Sequence, residues 1–92
     1  MKLFDLGRVV ITANALQFCE DHDGVNVDQL LARHQRGDWG DMDPDDKNAN
    51  DRAVQSDDRI ISGYDIGTED ERIWIITEAD RSVTTILLPD DY

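Results

Sequence analysis

The sequence is poor in cysteine, in long apolar runs and in positive charge. The single cysteine, Cys19, excludes an internal disulfide, and its place in an apolar helical stripe favours a buried structural thiol. No run of about eighteen apolar residues occurs, and residues 1–18 lack a basic stretch followed by an apolar one. We therefore expect neither a membrane helix nor a signal peptide, and the predicted location is the cytoplasm.

Positive charge is scarce while negative charge is abundant. Nine Lys and Arg face 21 Asp and Glu, which gives a formal net charge of −12. A surface with this balance repels nucleic acids and anionic membranes and attracts basic surfaces. We therefore expect the partner to be the basic surface of a nucleic-acid-binding protein, with no direct contact to nucleic acid or membrane. The alternative is a charge that serves solubility alone.

Three segments of the first two thirds predict short helices. Each begins at a residue type that caps helix N-termini, namely Thr12, Asn26 and Asp43, the last followed by Pro44. The first two segments carry apolar residues at helical spacing. The third, to about Gln55, should pack lightly, because it has few apolar side chains to bury: Ala49, Ala53 and Val54.

The last third changes to the period-two pattern of β-strands. The runs "RIISGYDI", "ERIWIITE" and "SVTTILL" are separated by short polar links at residues 67–70 and 78–81. The simplest topology is an antiparallel meander with "RIWIIT" in the middle, to which residues 7–12 can add a fourth, N-terminal edge strand. The sequence thus predicts a single domain, residues 1–92, of the α+β class: two layers, with two or three short helices packed on the meander.

The most acidic stretch, "HQRGDWGDMDPDDKNANDR", places a tryptophan between two glycines. In one interpretation Trp39 folds inward as a plug between helix and sheet, because an aromatic side chain buries about 150 to 250 Å². In the other it is the apolar centre of a recognition patch, because tryptophan is enriched at interface hot spots. The two interpretations stay open. The predicted partner-binding residues are Asp38, Trp39, Asp41, Asp43, Asp45 and Asp46.

The acids of this stretch occur at alternate positions. Extended residues two apart lie about 6.6 Å from each other on one face, which is close to the spacing of successive phosphates in a nucleic-acid strand. Asp41, Asp43 and Asp45 can therefore imitate a short row of phosphates. A helix that begins at Asp43 would curve this row.

The motifs of metal and phosphate sites fail at the positions that define them. Asp41, Asp43 and Asp45 match the first ligands of a calcium loop, but Asp46 and Arg52 replace its glycine and its bidentate glutamate. One cysteine and two histidines do not form a zinc set, and "GDWGD" lacks the Lys and the Ser or Thr of a phosphate loop. We expect no metal, no cofactor and no catalytic residue.

A small metal-independent ribonuclease or toxin-like enzyme is the enzymatic alternative. His34 or a glutamate would be its base, residues 78–85 would supply further groups, and an arginine would stabilise the phosphorane. His34 also completes the apolar stripe of the second helix, where a buried, hydrogen-bonded histidine is the competing interpretation. Since no group has diagnostic spacing, we favour a non-enzymatic role.

Three segments carry a resemblance to a known family: "LLARHQRGDWGD", "DDRIISGY" and "RIWIITEADRSVTTILLPDDY". They resemble small uncharacterised acidic proteins of bacterial plasmids and other mobile elements, sometimes labelled type I restriction subunit M. That label does not fit, because a methyltransferase subunit needs a much larger cofactor-binding fold. The resemblance implies a setting in which mobile DNA meets host defences.

The charge and the resemblance together predict a non-enzymatic inhibitor of the anti-restriction or anti-CRISPR type. Such a protein would imitate nucleic acid and block the basic nucleic-acid-binding surface of a host defence complex. An accessory interaction protein is the remaining alternative. The sequence leaves the oligomeric state open, a dimer included.

Overall fold

One four-stranded sheet and three helices make up the fold. The structure, a computed structural model, describes residues 2–92 and, for residues 68–70, the backbone alone. The predicted α+β class is confirmed, and the radius of gyration is 12.4 Å, close to the roughly 12 Å expected of a globule of this length. The elements follow the chain in the order β1 (Arg8–Ile11), α1 (Ala13–Asp21), α2 (Val27–Gln35), α3 (Pro44–Ser56), β2 (Ile60–Ile66), β3 (Thr68–Thr77), β4 (Val83–Leu87) and a 3₁₀ helix (Pro89–Asp91).

The helices begin where the capping residues predict. The side-chain oxygens of Thr12 and Asn26 accept backbone hydrogen bonds of 3.1 Å at the starts of α1 and α2. Asp43 has the extended backbone of an N-cap and Pro44 follows it, but the Asp43 carboxylate forms no capping hydrogen bond. In the described part of the chain, no helix has the length and apolarity needed to cross a membrane.

The sheet has the order β1-β4-β3-β2. Strands β2, β3 and β4 form the predicted antiparallel meander, and β1 extends it as an edge strand that runs parallel to β4. The link predicted at residues 67–70 is shorter than expected, because β3 begins at Thr68 and only Gly67, with φ of +90°, separates it from β2. The side chains of residues 68–70 lie outside the described part of the structure.

Helices α1 and α2 cover one face of the sheet. Their apolar side chains pack on Tyr64, Ile73, Ile75 and Ile86, which occupy alternate positions of the strands and therefore share this face. Beside this core lies a second, smaller cluster in which segments before β1, between α2 and α3, and within α3 meet β2. Its buried members are Phe4, Trp39, Ala53 and Ile60.

The outer edge of β2 is closed by the chain between α2 and α3 and by α3 itself. Asn50 accepts a hydrogen bond of 3.2 Å from the Ile61 N–H and donates one of 2.7 Å to the Ile61 carbonyl. The backbone of residues 39–41 bonds both polar groups of Gly63, at 3.1 and 2.7 Å. A Cβ at Gly40 would collide with the Gly63 carbonyl oxygen, so this approach requires glycine.

The side chains that α3 buries differ from the prediction. Ala49 was expected in the core but is exposed, whereas Asn50 is buried with only 5% of its surface accessible. The helix turns Asn50 toward β2 because the two hydrogen bonds to Ile61 satisfy its amide there. Helix α3 therefore serves as a lateral cover of the sheet more than as a layer above it.

Candidate partner-binding site

Trp39 lies inside the molecule, with 4% of its surface exposed. Its ring stacks on Phe4 with 6.3 Å between centroids and meets His34 edge-on at 5.9 Å. Its Nε1–H donates a hydrogen bond of 2.9 Å to Asp51. The plug interpretation is therefore confirmed. Trp39 does not supply an exposed apolar centre for the predicted patch, because packing and hydrogen bonding both hold the indole inward.

Asp38 was predicted to face a partner but is paired within the chain. Its two carboxylate oxygens accept hydrogen bonds of 2.7 and 3.2 Å from Arg33, and the Gly40 N–H donates a further one of 3.3 Å. The hydrogen bond from Arg33 holds the pKa of the Asp38 carboxyl below its ordinary value. Since Arg33 neutralises it, Asp38 adds little to a negative surface.

The other four predicted acids, Asp41, Asp43, Asp45 and Asp46, are exposed. The Asp41 carboxylate accepts the Asp65 N–H at 2.8 Å, which also helps to close the edge of β2. Asp45 and Asp46 occupy the first turn of α3, where the positive end of the helix dipole stabilises them. The straight row of carboxylates is therefore interrupted after Asp43, because the chain turns into the helix there.

Cations border this acidic group on one side, and further acids lie elsewhere on the surface. Arg72 bonds Asp65 at 2.6 Å; this bond is the main reason that its pKa is raised, and the charges of Asp41 and Asp43 contribute. Exposed carboxylates also occur at the end of α1, after α3 and in the 3₁₀ helix. They include Glu20, Asp21, Asp23, Asp57, Asp58 and Asp90. The molecule therefore distributes its negative charge over several regions, of which the start of α3 is one.

A cavity of about 360 Å³ opens beside the start of α3. Its floor is formed by the sheet face opposite α1 and α2, its side by α3 and the preceding loop, and its rim by Tyr92. The lining residues are Met42, Asp46, Ala49, Asn50, Arg59, Ile61, Trp74 and Tyr92. The cavity thus places an apolar and aromatic surface next to Asp46, in the position that Trp39 was expected to fill.

Trp74 and Tyr92 are the two aromatic walls of this cavity. Their ring centroids lie 5.8 Å apart with 66° between the planes, and the Arg59 guanidinium lies over the Tyr92 ring and donates a hydrogen bond to its hydroxyl. The Trp74 Nε1–H is buried and has no hydrogen-bond partner among the described residues. Gly63 makes room for the indole, since a Cβ there would lie 3.3 Å from Trp74 Cδ1.

Comparison with family models, with curated proteins and with solved structures gives no significant match. The resemblance to small plasmid-borne proteins therefore stays a prediction.

His34 belongs to a buried chain of hydrogen bonds and is fully inaccessible. Its ring nitrogens lie 2.5 Å from Ser62 Oγ and 2.9 Å from Thr77 Oγ1, and Thr77 in turn lies 2.7 Å from Thr84 Oγ1. The Thr84 hydroxyl donates its one proton to the Leu6 carbonyl, so it must accept the hydrogen bond from Thr77. Thr77 in turn accepts from His34 Nε2–H, and the unprotonated His34 Nδ1 accepts from Ser62.

Burial, and secondarily the charge of Arg81, lower the pKa of His34 to about 3, so the ring is neutral near pH 7. The enzymatic alternative placed His34 with residues 78–85, and the structure does bring His34 near Thr84. No substrate can reach the ring, however, because it is enclosed. Arg81 donates its guanidinium hydrogen bonds to backbone carbonyls, including those of Ala53 and Asp58. This arrangement stabilises the fold and offers no accessible base.

Sequence reasoning missed Asn50, Asp51, Trp74 and Tyr92. The period-two pattern contained one usable signal, since Trp74 alternates with Ile73 and Ile75 and must point to the opposite face of β3. The pairings of Asn50 with Ile61 and of Asp51 with Trp39 have no local signal, because they join separate parts of the chain. Within the described side chains, no group of three or more His, Cys, Asp or Glu is placed to hold a metal ion.

Proposed function

We propose that this protein is a non-enzymatic acidic binding protein that blocks a basic, nucleic-acid-binding surface of another protein. The contact surface is the start of α3, with Asp41, Asp43, Asp45 and Asp46, together with the cavity beside it. In the setting that the sequence resemblance implies, the partner is a cytoplasmic host defence complex of the restriction or CRISPR class.

The observation that carries the proposal is a group of exposed carboxylates without cationic partners beside an aromatic cavity. In the described part of the chain, the ion pairs involve Asp38, Asp65 and Glu71, and none involves Asp43, Asp45 or Asp46. The first turn of α3 fixes the backbone of Asp45 and Asp46. An unpaired carboxylate can accept a charge-assisted hydrogen bond from a partner's Arg or Lys without first breaking an internal bond.

The charge of the whole molecule supports the same partner class. A net charge of −12 along the longest extent of 36 Å corresponds to about one charge per 3 Å, against about one per 1.7 Å along duplex DNA. A protein surface that attracts nucleic acid through its positive field is therefore attracted to this molecule by the same force.

The cavity supplies what an electrostatic contact lacks. Charges at the rim of an interface mainly raise the association rate and select the partner, while an apolar side chain in a desolvated pocket slows dissociation. Trp74, Ile61 and Met42 offer such a pocket, and Asp46 stands at its border. A basic partner that inserts one apolar side chain here would use both contributions.

Replacing Asp41, Asp43, Asp45 and Asp46 by Asn tests the proposal. Asn keeps a side-chain oxygen, so the hydrogen bond from the Asp65 N–H to position 41 can persist while four charges are removed. The matched control removes four charges elsewhere, at exposed acids without hydrogen bonds in the described structure: Asp5, Glu20, Asp23 and Asp90. Circular dichroism and thermal unfolding check that both variants fold.

The experiment is a capture from bacterial lysate at low and high salt with the wild type and both variants. We expect a nucleic-acid-binding protein to be retained by the wild type and the control, to bind the start-of-α3 variant about tenfold more weakly, and to dissociate at high salt. Added DNA or RNA should compete for it. Equal capture by all three proteins would refute the role of this surface, and capture of nothing would favour a charge that serves solubility alone.

A further inference from the structure

The two edges of the sheet differ in how their main-chain groups are bonded. On the β4 side of β1, Arg8 N–H donates to the Ser82 carbonyl and Thr12 N–H to the Ile86 carbonyl, both at 2.9 Å. Main-chain groups of a strand alternate in direction, so those of Val9 and Ile11 point away from β4. At the other edge of the sheet, the outward groups of β2 are bonded by Asn50 and by residues 39–41.

The outward groups of β1 have no such cover. No described residue forms a hydrogen bond with the N–H or the carbonyl of Val9 or Ile11 outside the sheet. The Val9 side chain is 43% exposed, which is high for a valine in a strand of this sheet. A free edge with an apolar residue is the type of site at which proteins accept an added strand.

We infer that β1 accepts an extended segment of the basic partner as a fifth strand. The net charge of −12 favours a segment rich in Lys or Arg. The same charge opposes a second copy of this chain, because two molecules that each carry −12 repel one another. The inference takes the basic character of the partner from the proposed function and adds the way in which it binds.

Main-chain pairing determines what this edge can recognise. Two outward residues, Val9 and Ile11, offer two donors and two acceptors, which suffice to fix the register of a short strand. The bonds themselves are independent of the partner's side chains, so the edge would select for an extended conformation more than for a particular sequence. The only charged side chain of β1 is Arg8, so the preference for positive charge would come from the field of the whole molecule.

The probe is a short peptide of alternating Lys and Val, with an alternating Glu and Val peptide as its control. Amide hydrogen exchange of the unmodified protein is the readout. In the free protein, Val9 and Ile11 should exchange faster than Ile61 and Gly63 of the opposite edge. The Lys peptide should slow exchange at Val9 and Ile11, the Glu peptide should not, and the effect should weaken as salt is added.

A proline at position 9 removes the outward N–H while keeping the bonds of β1 to β4, and Val9→Thr is the control that keeps the N–H. We expect Val9→Pro to weaken binding of the Lys peptide, and of any captured partner, about tenfold, with Val9→Thr close to the wild type. Slow exchange of Val9 and Ile11 in the free protein, or peptide effects confined to other residues, would overturn the inference. If protection of Val9 and Ile11 from exchange increases with protein concentration and with salt, the strand that pairs with β1 is a second copy of this chain. That result would also overturn the inference.

The two proposals fail in different ways. Neutralising the start of α3 changes the charge and leaves the β1 edge intact, whereas Val9→Pro blocks the edge and leaves the charge unchanged. If Val9→Pro has no effect while the Asn variant loses the partner, only the edge is excluded. If the edge binds the Lys peptide while the Asn variant retains the partner fully, only the α3 surface is excluded.

Discussion

The two tryptophans of this chain lie in environments opposite to those that their sequence neighbours indicate. Trp39 stands among glycines and aspartates, yet it is buried and its Nε1–H is bonded to Asp51. Trp74 stands in an apolar strand, yet it lines an open cavity and its Nε1–H has no partner among the described residues. The burial of these side chains therefore depends more on which distant elements pack against them than on the polarity of adjacent residues.

The comparison separates a structural tryptophan from one that is available for contact. Trp39 packs in the small core with Phe4, His34 and α3, so its apolar surface is already buried in the free protein. Trp74 keeps an aromatic surface open beside Asp46. This difference makes Trp74, not Trp39, the aromatic residue of interest for binding.

Replacing each tryptophan by alanine should give the largest difference in the free energy of unfolding between the two positions. We expect Trp39→Ala to lower the free energy of unfolding by about 3 to 5 kcal/mol, because it leaves a cavity in the core. Trp74→Ala, at a partly exposed position, should cost roughly 1 to 2 kcal/mol. Urea denaturation of both variants measures this. Equal losses would show that Trp74 is as much a part of the core as Trp39.

Acid should weaken the surroundings of Trp39 through His34. The unfolded chain binds a proton at this histidine near its ordinary pKa of 6.5, but the folded protein binds it only near the lowered pKa of about 3. Protons therefore favour the unfolded state in this window, so His34 should cost up to about 1.4 kcal/mol of stability per unit as pH falls from about 6.5 toward 3.

His34→Gln lacks this proton and is the comparison for the acid effect. Urea unfolding at about pH 7 and about pH 4.5 should show a smaller loss of stability for the variant than for the wild type. The carboxylates titrate in both proteins, so the difference between the two losses is the contribution of His34. Identical losses would mean that the His34 ring takes up its proton over the same pH range in the folded and the unfolded protein.

Replacing each tryptophan by phenylalanine should give a smaller difference in stability, which reports mainly on the hydrogen bonding of the two indoles. Trp39→Phe should cost about 1 to 3 kcal/mol, because it reduces packing and leaves the Asp51 carboxylate without its donor. Trp74→Phe should change stability by less than about 0.5 kcal/mol, because it removes a buried donor that has no partner. Chemical denaturation checks both, and combining Trp39→Phe with Asp51→Ala should cost less than the sum of the two. Strict additivity would show that the hydrogen bond contributes nothing.

Local chemistry made the helices and the meander predictable. Thr12, Asn26 and the pair Asp43 and Pro44 act through their immediate neighbours, so their effect is visible in the sequence. The parallel pairing of β1 with β4 is not visible, because it joins residues far apart in the chain. The candidate site was predicted in part: its exposed carboxylates have a sequence signal, whereas the pairing of Asp38 and the burial of Trp39 depend on α2 and α3.

The loop between α2 and α3, together with the first half of α3, contains residues of two kinds. Gly40, Asp41 and Asn50 are tied to β2 by steric or hydrogen-bonding demands. Asp43, Asp45 and Asp46 have no bond to the sheet in the described structure. A substitution in the first group must keep the space of Gly40 or the side-chain hydrogen bonds of Asp41 and Asn50, while the second group can be exchanged at little risk to folding. Substitutions at Asp43, Asp45 and Asp46 can therefore change the charge of this part of the surface while the fold stays the same.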